Sequence, residues 1–200
     1  MDHSMHNYAW LNPPEEYQIS QSELFFKTRP HTDFWQQTYY GFRYDNGHLF
    51  SILISQDSFT YSLQTKYIPQ EKYDQAGIMV YISPENWFKA SIEYENETIS
   101  RLGSVVTNLG YSDWATTDIK STPEVRIFYR LSKRAKDFLI EQSPDGDVYQ
   151  QMRIFHLDQA NSAIRLGMYA CSPLESSFKA FFSNIRLGEC TWEPVDNPAG

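Results

Sequence analysis

The sequence predicts an all-β fold in which two antiparallel sheets pack face to face. Aromatic residues make up 16% of the 200 residues, with 14 Tyr, 13 Phe and 5 Trp, and aromatic side chains favour the half-buried surface of a sheet. Turn-forming residues recur at short intervals along the chain. No stretch keeps a helical apolar period for long, which argues against long helices. Many short strands of this kind are typical of a sandwich or a barrel, and we expect residues 1–200 to form one domain.

The first strong turn signal is Asp45-Asn46-Gly47, because an Asn-Gly pair supplies the positive φ angles of a tight hairpin. The segment before this turn, residues 38–44, is rich in aromatic side chains, and the segment after it, residues 48–54, is almost continuously apolar. We therefore predict two strands that the turn joins as a hairpin.

The region from residue 73 to residue 114 is the most informative. Read at strand period, residues 73–80, 87–94 and 105–107 form three successive strands with apolar side chains on one face. The other face carries Gln75, Tyr81, Trp87, Lys89 and Glu93. Residues 112–114 are expected in a loop, where Asp113 holds a turn through its own side chain. Trp114 could then cap one end of a groove or fill the core.

The later part of the chain adds two more hairpins. Residues 138–142 and 148–154 flank the turn 143–146, and the basic run 133–136 predicts a solvated hairpin end. Apolar residues alternate with Arg126 and Arg130, which we therefore expect to project to the same side as Gln75 and Tyr81. Residues 194–200 are expected to form a loose tail.

Composition restricts the partners. The formal net charge of −8 would repel a polyanion, which excludes nucleic acid as a partner class. Residues 1–6 do not start a signal peptide, no segment is long enough to span a membrane, and two cysteines, Cys171 and Cys190, are too few for a disulfide framework. We therefore expect a soluble cytoplasmic protein. The histidines and cysteines lack metal-ligand spacing and no glycine-rich phosphate cradle occurs, so we expect no metal and no cofactor.

Several motifs follow one another across almost the whole chain: Thr32-Asp33-Phe34-Trp35, Tyr40-Gly41-Phe42, Asp45-Asn46-Gly47-His48, Tyr73-Asp74-Gln75-Ala76-Gly77, Trp87-Phe88-Lys89-Ala90, Ile92-Glu93-Tyr94, Val105-Val106-Thr107, Ser112-Asp113-Trp114, Ser143-Pro144-Asp145-Gly146, Arg153 and Cys171-Ser172-Pro173. In this combination the chain resembles the regulation of enolase protein family of bacterial and fungal proteins. The resemblance implies a concanavalin A-like jelly-roll sandwich, a fold shared by lectins, laminin-type modules and glucanases. It also implies a fungal relative named for an effect on enolase.

The acidic run Glu93-Tyr94-Glu95-Asn96-Glu97 is similar to the alternating acids of jelly-roll glucanases. Same-face neighbours in a strand are about 6.6 Å apart, which allows carboxyl groups to reach the roughly 5 Å spacing of a retaining pair. However, Glu95 stands where that pattern has an aspartate, and Asn96-Glu97 falls where the chain must reverse. We therefore predict a solvated acidic hairpin tip for Glu95 and Glu97, and a glycoside hydrolase using Glu93 with either of them is the third functional hypothesis.

The polar face of the central strands predicts a ligand-binding groove, because aromatic rings offer a platform for a sugar while amide and charged groups fix its orientation. The predicted ligand-binding residues are Gln75, Tyr81, Trp87, Lys89, Glu93, Trp114, Arg126 and Arg130. Pairing of Glu93 with Lys89 in a purely structural polar network is the alternative, and an exposed pair would contribute under about 1 kcal/mol.

The first functional hypothesis is a non-catalytic domain that binds a small carbohydrate-like or metabolite ligand on this face. The second is a protein-interaction module that regulates a metabolic enzyme such as enolase. In that case the surplus of aromatic residues should leave an exposed patch. The sequence leaves the oligomeric state open.

Overall fold

The structure is a computed structural model that describes residues 5–161 and 163–193. The predicted tail, residues 194–200, lies outside the described residues. Within the described ranges the chain forms strands and one short 3-10 helix, Met5–Asn7. None of the helical structure described is long and apolar enough to cross a membrane.

Two seven-stranded antiparallel sheets and a two-stranded ribbon make up the fold. The first sheet contains, in spatial order, β1 (Tyr8–Leu11), β6 (His48–Ile54), β15 (Ile164–Cys171), β8 (Gln75–Ser83), β9 (Asn86–Tyr94), β10 (Ile99–Asn108) and β11 (Tyr111–Lys120). The second sheet contains β14 (Gln150–His156), β13 (Asp137–Ser143), β12 (Val125–Arg134), β7 (Ser58–Tyr67), β16 (Lys179–Gly188), β3 (Leu24–Lys27) and β2 (Tyr17–Ile19). The ribbon consists of β4 (Phe34–Gln36) and β5 (Arg43–Asp45).

The main core lies between the two sheets, where alternating side chains of both sheets meet. Ile78 and Phe88 from the first sheet and Ile127 and Tyr129 from the second belong to one buried apolar cluster. Side chains alternate between the two faces of a strand, so the residues between these point outward. This arrangement confirms the predicted all-β sandwich of two antiparallel sheets.

The Asp45-Asn46-Gly47 turn does not form the predicted hairpin. β5 pairs with β4, whereas β6 pairs with β1 and β15. Asn46 Oδ1 accepts from the backbone N of Asp33 at 3.0 Å, and Asn46 Nδ2 donates to the carbonyl of His31 at 2.9 Å. Neither Asn46 nor Gly47 has a positive φ. The prediction is wrong because the Asn46 side chain ties this turn to the segment before β4.

Residues 112–114 lie in β11 and not in a loop, because the chain reverses earlier, at Leu109 and Gly110, whose φ angles are 53° and 77°. Asp113 Oδ1 accepts from the guanidinium of Arg153 at 2.6 Å and holds no turn. The two later hairpins form as predicted, β12 with β13 and β13 with β14.

The end of the β12–β13 hairpin is not fully solvated. Lys133 is 1% exposed, and its Nζ donates to the carbonyl of Gln56 at 3.3 Å. Burial lowers the pKa of Lys133, although the carboxylate of Asp57, whose Oδ1 lies 3.7 Å from Lys133 Nζ, acts to raise it. The basic run therefore contributes one buried cation that its charge pattern did not indicate.

Candidate functional site

The site lies on the outer face of the first sheet, where the strand register aligns side chains in rows. Across β8, β9 and β10 the first row is Gln75, Glu93 and Arg101, the second is Gly77, Ser91 and Gly103, and the third is Met79, Lys89 and Val105. The middle row carries only small side chains, so a hollow remains between the two rows that flank it. A Cβ at Gly103 would lie 3.1 Å from Trp114 Nε1, so glycine lets the indole approach the sheet.

The ribbon of β4 and β5 covers part of this outer face. Phe34 and Trp35 of β4 pack with Met79, Trp87 and Tyr169 of the sheet in a second buried apolar cluster. A cavity of about 330 Å³ lies between the ribbon and the sheet. Cavities of this size accommodate small molecules.

The lining of the cavity combines aromatic and polar side chains. The aromatic ones are Trp35, Tyr40, Phe42, Tyr44, Tyr73 and Trp114. The polar ones include Asp33, Gln75, Lys89, Ser91, Glu93 and Arg101. This combination suits a ligand that has an apolar face and several hydroxyl groups.

Lys89 is a buried cation that is 4% exposed. Its Nζ donates to Asp33 Oδ1 at 2.9 Å, and it lies 5.9 Å and 5.8 Å from the ring centroids of Trp87 and Tyr169. Burial opposes the charged form, but the attraction of Asp33, with smaller effects of Cys171 and Glu93, outweighs it and raises the pKa of Lys89. Lys89 therefore pairs with Asp33. The structural alternative, in which Lys89 pairs with Glu93, is wrong on this point.

Glu93 is half-buried, and burial raises the pKa of its carboxyl group to about 7, although Lys89 acts to lower it. Gln75 fixes one of its oxygens, since Gln75 Nε2 donates to Glu93 Oε2 at 2.8 Å. The amide of Gln75 is itself oriented by the hydroxyl of Tyr169, which donates to Gln75 Oε1 at 3.1 Å. Glu93 is therefore a positioned carboxyl group that titrates near neutral pH.

Arg101 closes the first row next to Glu93. Its guanidinium lies 3.4 Å from Glu95 Oε2 and 3.8 Å from Asp118 Oδ1, and 5.5 Å from the ring centroid of Trp114. Glu95 also contacts Lys72 at 2.5 Å. The two acidic neighbours neutralise Arg101, and Arg101 in turn supports the indole of Trp114.

Four of the eight predicted ligand-binding residues line the cavity, and these are Gln75, Lys89, Glu93 and Trp114. Tyr81 and Trp87 point to the same face but are buried under the ribbon, 6% and 0% exposed. The hydroxyl of Tyr81 donates to Asp45 Oδ2, and the indole N–H of Trp87 donates to the carbonyl of Pro84. The prediction that these two rings are open platforms is wrong, because strand alternation does not reveal the ribbon above them.

Arg126 and Arg130 lie in β12, on the outer face of the second sheet, and do not line the cavity. Arg130 donates to both oxygens of Glu141 at 2.7 Å and 2.9 Å, and Arg126 donates to Glu124 at 3.3 Å. The prediction that they share the face of Gln75 is wrong, since alternation sets the side of a strand but not the sheet that the strand joins.

Glu95 and Glu97 do not line the cavity either. Glu97 is exposed in the turn between β9 and β10, where Asn96 Oδ1 accepts from the backbone N of Thr98 and of Ile99. Glu95 is not the solvated residue that was predicted, because Lys72 and Arg101 both pair with it. Neither acid is therefore placed to act with Glu93 on one ligand.

Asp33, Arg101 and the ribbon aromatics belong to the site although the strand pattern did not single them out as ligand-binding residues. For Asp33 and the ribbon aromatics the signal was present in two motifs: Thr32-Asp33-Phe34-Trp35 leads into β4, and Tyr40-Gly41-Phe42 lies in the turn between β4 and β5. Their position over the central strands depends on long-range packing of Phe34 against Tyr169 and Trp87, with ring centroids 6.3 Å and 6.1 Å apart.

Comparisons with known proteins agree with this architecture. A family model described as "Protein of unknown function (DUF1349)" matches residues 10–190. Regulation of enolase protein 1 from Saccharomyces cerevisiae is 32% identical over 180 residues, which are 90% of this chain and 88% of that protein.

Two solved structures resemble the fold. A crystal structure of a functionally unknown Saccharomyces cerevisiae protein has a TM-score of 0.85 at 30% identity and covers 93% of this chain and 98% of that chain. A legume lectin-like domain from Entamoeba histolytica has a TM-score of 0.58 at 12% identity, with 92% and 91% covered. The predicted concanavalin A-like fold is confirmed.

Proposed function

This chain belongs to the regulation of enolase protein family, described as "Protein of unknown function (DUF1349)", and we propose that it binds a small carbohydrate-like or metabolite ligand in the cavity above the central strands. The ligand would lie against Trp114 and the ribbon aromatics. Gln75, Lys89 and Glu93 would fix its orientation. We also propose a cytoplasmic location, with the thiols of Cys171 and Cys190 free.

The observation that carries the proposal is the mixed lining of the cavity, which combines aromatic rings with fixed polar groups. Fold likeness alone assigns no ligand. Fixed groups matter because a side chain that is already ordered loses little entropy when a ligand binds. Gln75 and Glu93 hold each other, and Lys89 is held by Asp33, so these polar groups are preorganised.

A thermal-shift screen with monosaccharides, disaccharides and sugar phosphates tests the proposal, followed by calorimetry on any compound that stabilises the protein. The expected result is stabilisation by a hydroxyl-rich compound that Trp114→Ala abolishes. Tyr111→Ala is the matched control, because Tyr111 lies on the same strand but is 61% exposed and does not line the cavity. No stabilisation by any member of the panel would overturn the proposal.

A second candidate function is interaction with a metabolic enzyme, as the name of the Saccharomyces cerevisiae relative suggests. One observation favours it, because the ribbon turn exposes a continuous aromatic patch of Tyr39, Tyr40, Phe42 and Tyr44. Exposed apolar patches of this kind mark interaction sites. The protein immobilised on a resin should retain a metabolic enzyme such as enolase in stoichiometric amount after washing, and failure to retain purified enolase or any other metabolic enzyme would exclude this function.

A further inference from the structure

We infer that the cavity selects an uncharged sugar unit over a sugar acid, and that Asp33 and Glu93 are the residues that make this selection. The inference rests on the proposed ligand-binding function and names its ligand class. Two features of the cavity carry it: the pairing of its cations and the free oxygens of its carboxylates.

Both cations of the cavity already have acidic partners. Lys89 Nζ donates to Asp33 Oδ1 at 2.9 Å, and the guanidinium of Arg101 lies between Glu95 and Asp118. A ligand carboxylate would therefore have to displace an existing ion pair before it gained one of its own. The pair of Lys89 with Asp33 is buried, so breaking it leaves one charge uncompensated, which is strongly unfavourable.

Each of the two carboxylates in the cavity keeps one oxygen as a free hydrogen-bond acceptor. Asp33 Oδ1 accepts from Lys89 Nζ and the backbone N of Phe34, and the thiol of Cys171 lies 3.6 Å from it. Glu93 accepts from Gln75 through Oε2. Within the described residues, the second oxygen of each carboxylate, Asp33 Oδ2 and Glu93 Oε1, has no hydrogen bond. Ligand hydroxyl groups can donate to these oxygens, whereas a ligand carboxylate offers no donor.

Because Glu93 ionises, the binding affinities for neutral sugars and for sugar acids should change with pH in opposite directions. The charged and titratable groups that act on Glu93 are Lys89 on its own strand, Asp33 before the ribbon, Arg101 on β10, Glu95 after β9, Tyr67 on β7 and Cys171 on β15. Above neutral pH an ionised Glu93 accepts more strongly from a sugar hydroxyl, so the affinity for a neutral sugar should rise with pH. The same charge repels a sugar acid, whose affinity should fall.

The experiment is calorimetric titration of the full chain at pH 6 and pH 8 with matched pairs, glucose with glucuronate and galactose with galacturonate. At pH 8 the neutral member of a pair should bind about tenfold or more tightly, since one charge-assisted hydrogen bond is worth that ratio. Glu93→Gln should weaken binding of the neutral sugar at pH 8 and remove the pH dependence of both ligands. Glu97→Gln, the same change at an exposed turn, should alter neither.

Asp33→Asn should shift the preference towards the sugar acid, because it leaves Lys89 without its carboxylate partner. Thermal unfolding of this variant shows whether it folds, and Glu93→Gln keeps the test decisive if it does not. Equal or tighter binding of the sugar acid at pH 8, or a Glu93→Gln variant that keeps the pH dependence, would overturn the inference and leave the proposed function intact. Binding of neither class would overturn the proposed function itself.

Discussion

At the scale of single residues, Glu93 combines features that are usually opposed. Its carboxyl group lies in a half-buried position, which disfavours ionisation, yet Lys89 and Arg101 are close enough to favour it. Burial has the larger effect and raises the pKa from 4.5 to about 7. The folded protein therefore binds a proton at Glu93 more tightly than the unfolded chain does.

This difference predicts that Glu93 lowers stability as pH rises. Because the pKa of Glu93 is higher in the folded protein, its protonation stabilises the folded state. This stabilisation is fully present below the unfolded-state pKa near 4.5 and is lost as pH rises through the folded-state pKa of about 7. At 1.36 kcal/mol per pKa unit, ionised Glu93 would lower the free energy of unfolding by about 3 kcal/mol at pH 8.5. Glu93→Gln should therefore gain stability relative to the original protein between pH 5 and pH 8.5.

Urea unfolding at the two pH values measures the effect, with Glu97→Gln as the control for loss of one negative charge. For each variant, the free energy of unfolding is compared with that of the original protein at both pH values. The test is whether this difference changes between the two pH values. A difference that stays constant for Glu93→Gln, or that moves equally for Glu97→Gln, would show that Glu93 is not the titrating group.

At the scale of elements, the cavity depends on the row of small residues across β8, β9 and β10. Gly103 is the member nearest to Trp114, and an added Cβ would lie 3.0 Å from the carbonyl of Ala115 as well as 3.1 Å from the indole nitrogen. A larger side chain there must either move Trp114 or occupy the hollow.

Gly103→Leu should therefore abolish ligand binding while the sandwich remains folded, with a loss of about 1–3 kcal/mol of stability from overpacking. Gly188→Leu is the matched control, because a Cβ at Gly188 meets no atom within 4 Å. Calorimetry with the best compound of the sugar screen and thermal unfolding of both variants provide the measurements. Full ligand affinity in Gly103→Leu would mean that the ligand binds elsewhere.

Strand periodicity predicted which side chains share a face, but not what covers that face. Gln75, Lys89 and Glu93 were assigned to one side correctly because the period of a strand is fixed by local geometry. Trp87 was assigned to the same side and is nevertheless buried, since Phe34 and Trp35 arrive from a ribbon that is distant in sequence. The prediction that Arg130 shares this face is wrong for a related reason. The pairing of β12 with β7 and β13, which places Arg130 in the second sheet, depends on the whole topology.

At the scale of the whole molecule, the two candidate functions use overlapping surfaces, because Tyr40, Phe42 and Tyr44 belong both to the aromatic patch and to the cavity lining. The ligand cavity lies beneath the ribbon, whereas Tyr39 at the ribbon turn is 93% exposed and does not line the cavity. The resemblance to a family was sufficient to predict the sandwich, because a fold follows from motifs spread over the chain. It was insufficient to predict the function, because sites vary on a shared fold.

Because Tyr39 belongs to the aromatic patch but not to the cavity lining, its substitution distinguishes the two functions. Tyr39→Ser should leave sugar binding and the melting temperature unchanged, since the side chain contacts only Tyr40 among the ring contacts described. If the ribbon turn is a protein-binding surface, the same substitution should reduce retention of the partner enzyme by about tenfold or more, because exposed tyrosines are frequent hot spots of interfaces.

Tyr111→Ser is the control for this experiment, because Tyr111 is also a tyrosine with 61% exposure but lies outside the ribbon. Quantitative pull-down with the original protein and both variants gives the comparison. Equal retention by all three would exclude the ribbon turn as the interface. Loss of retention in Tyr39→Ser alone, with ligand affinity unchanged, would show that Tyr39 contributes to protein recognition and not to ligand binding.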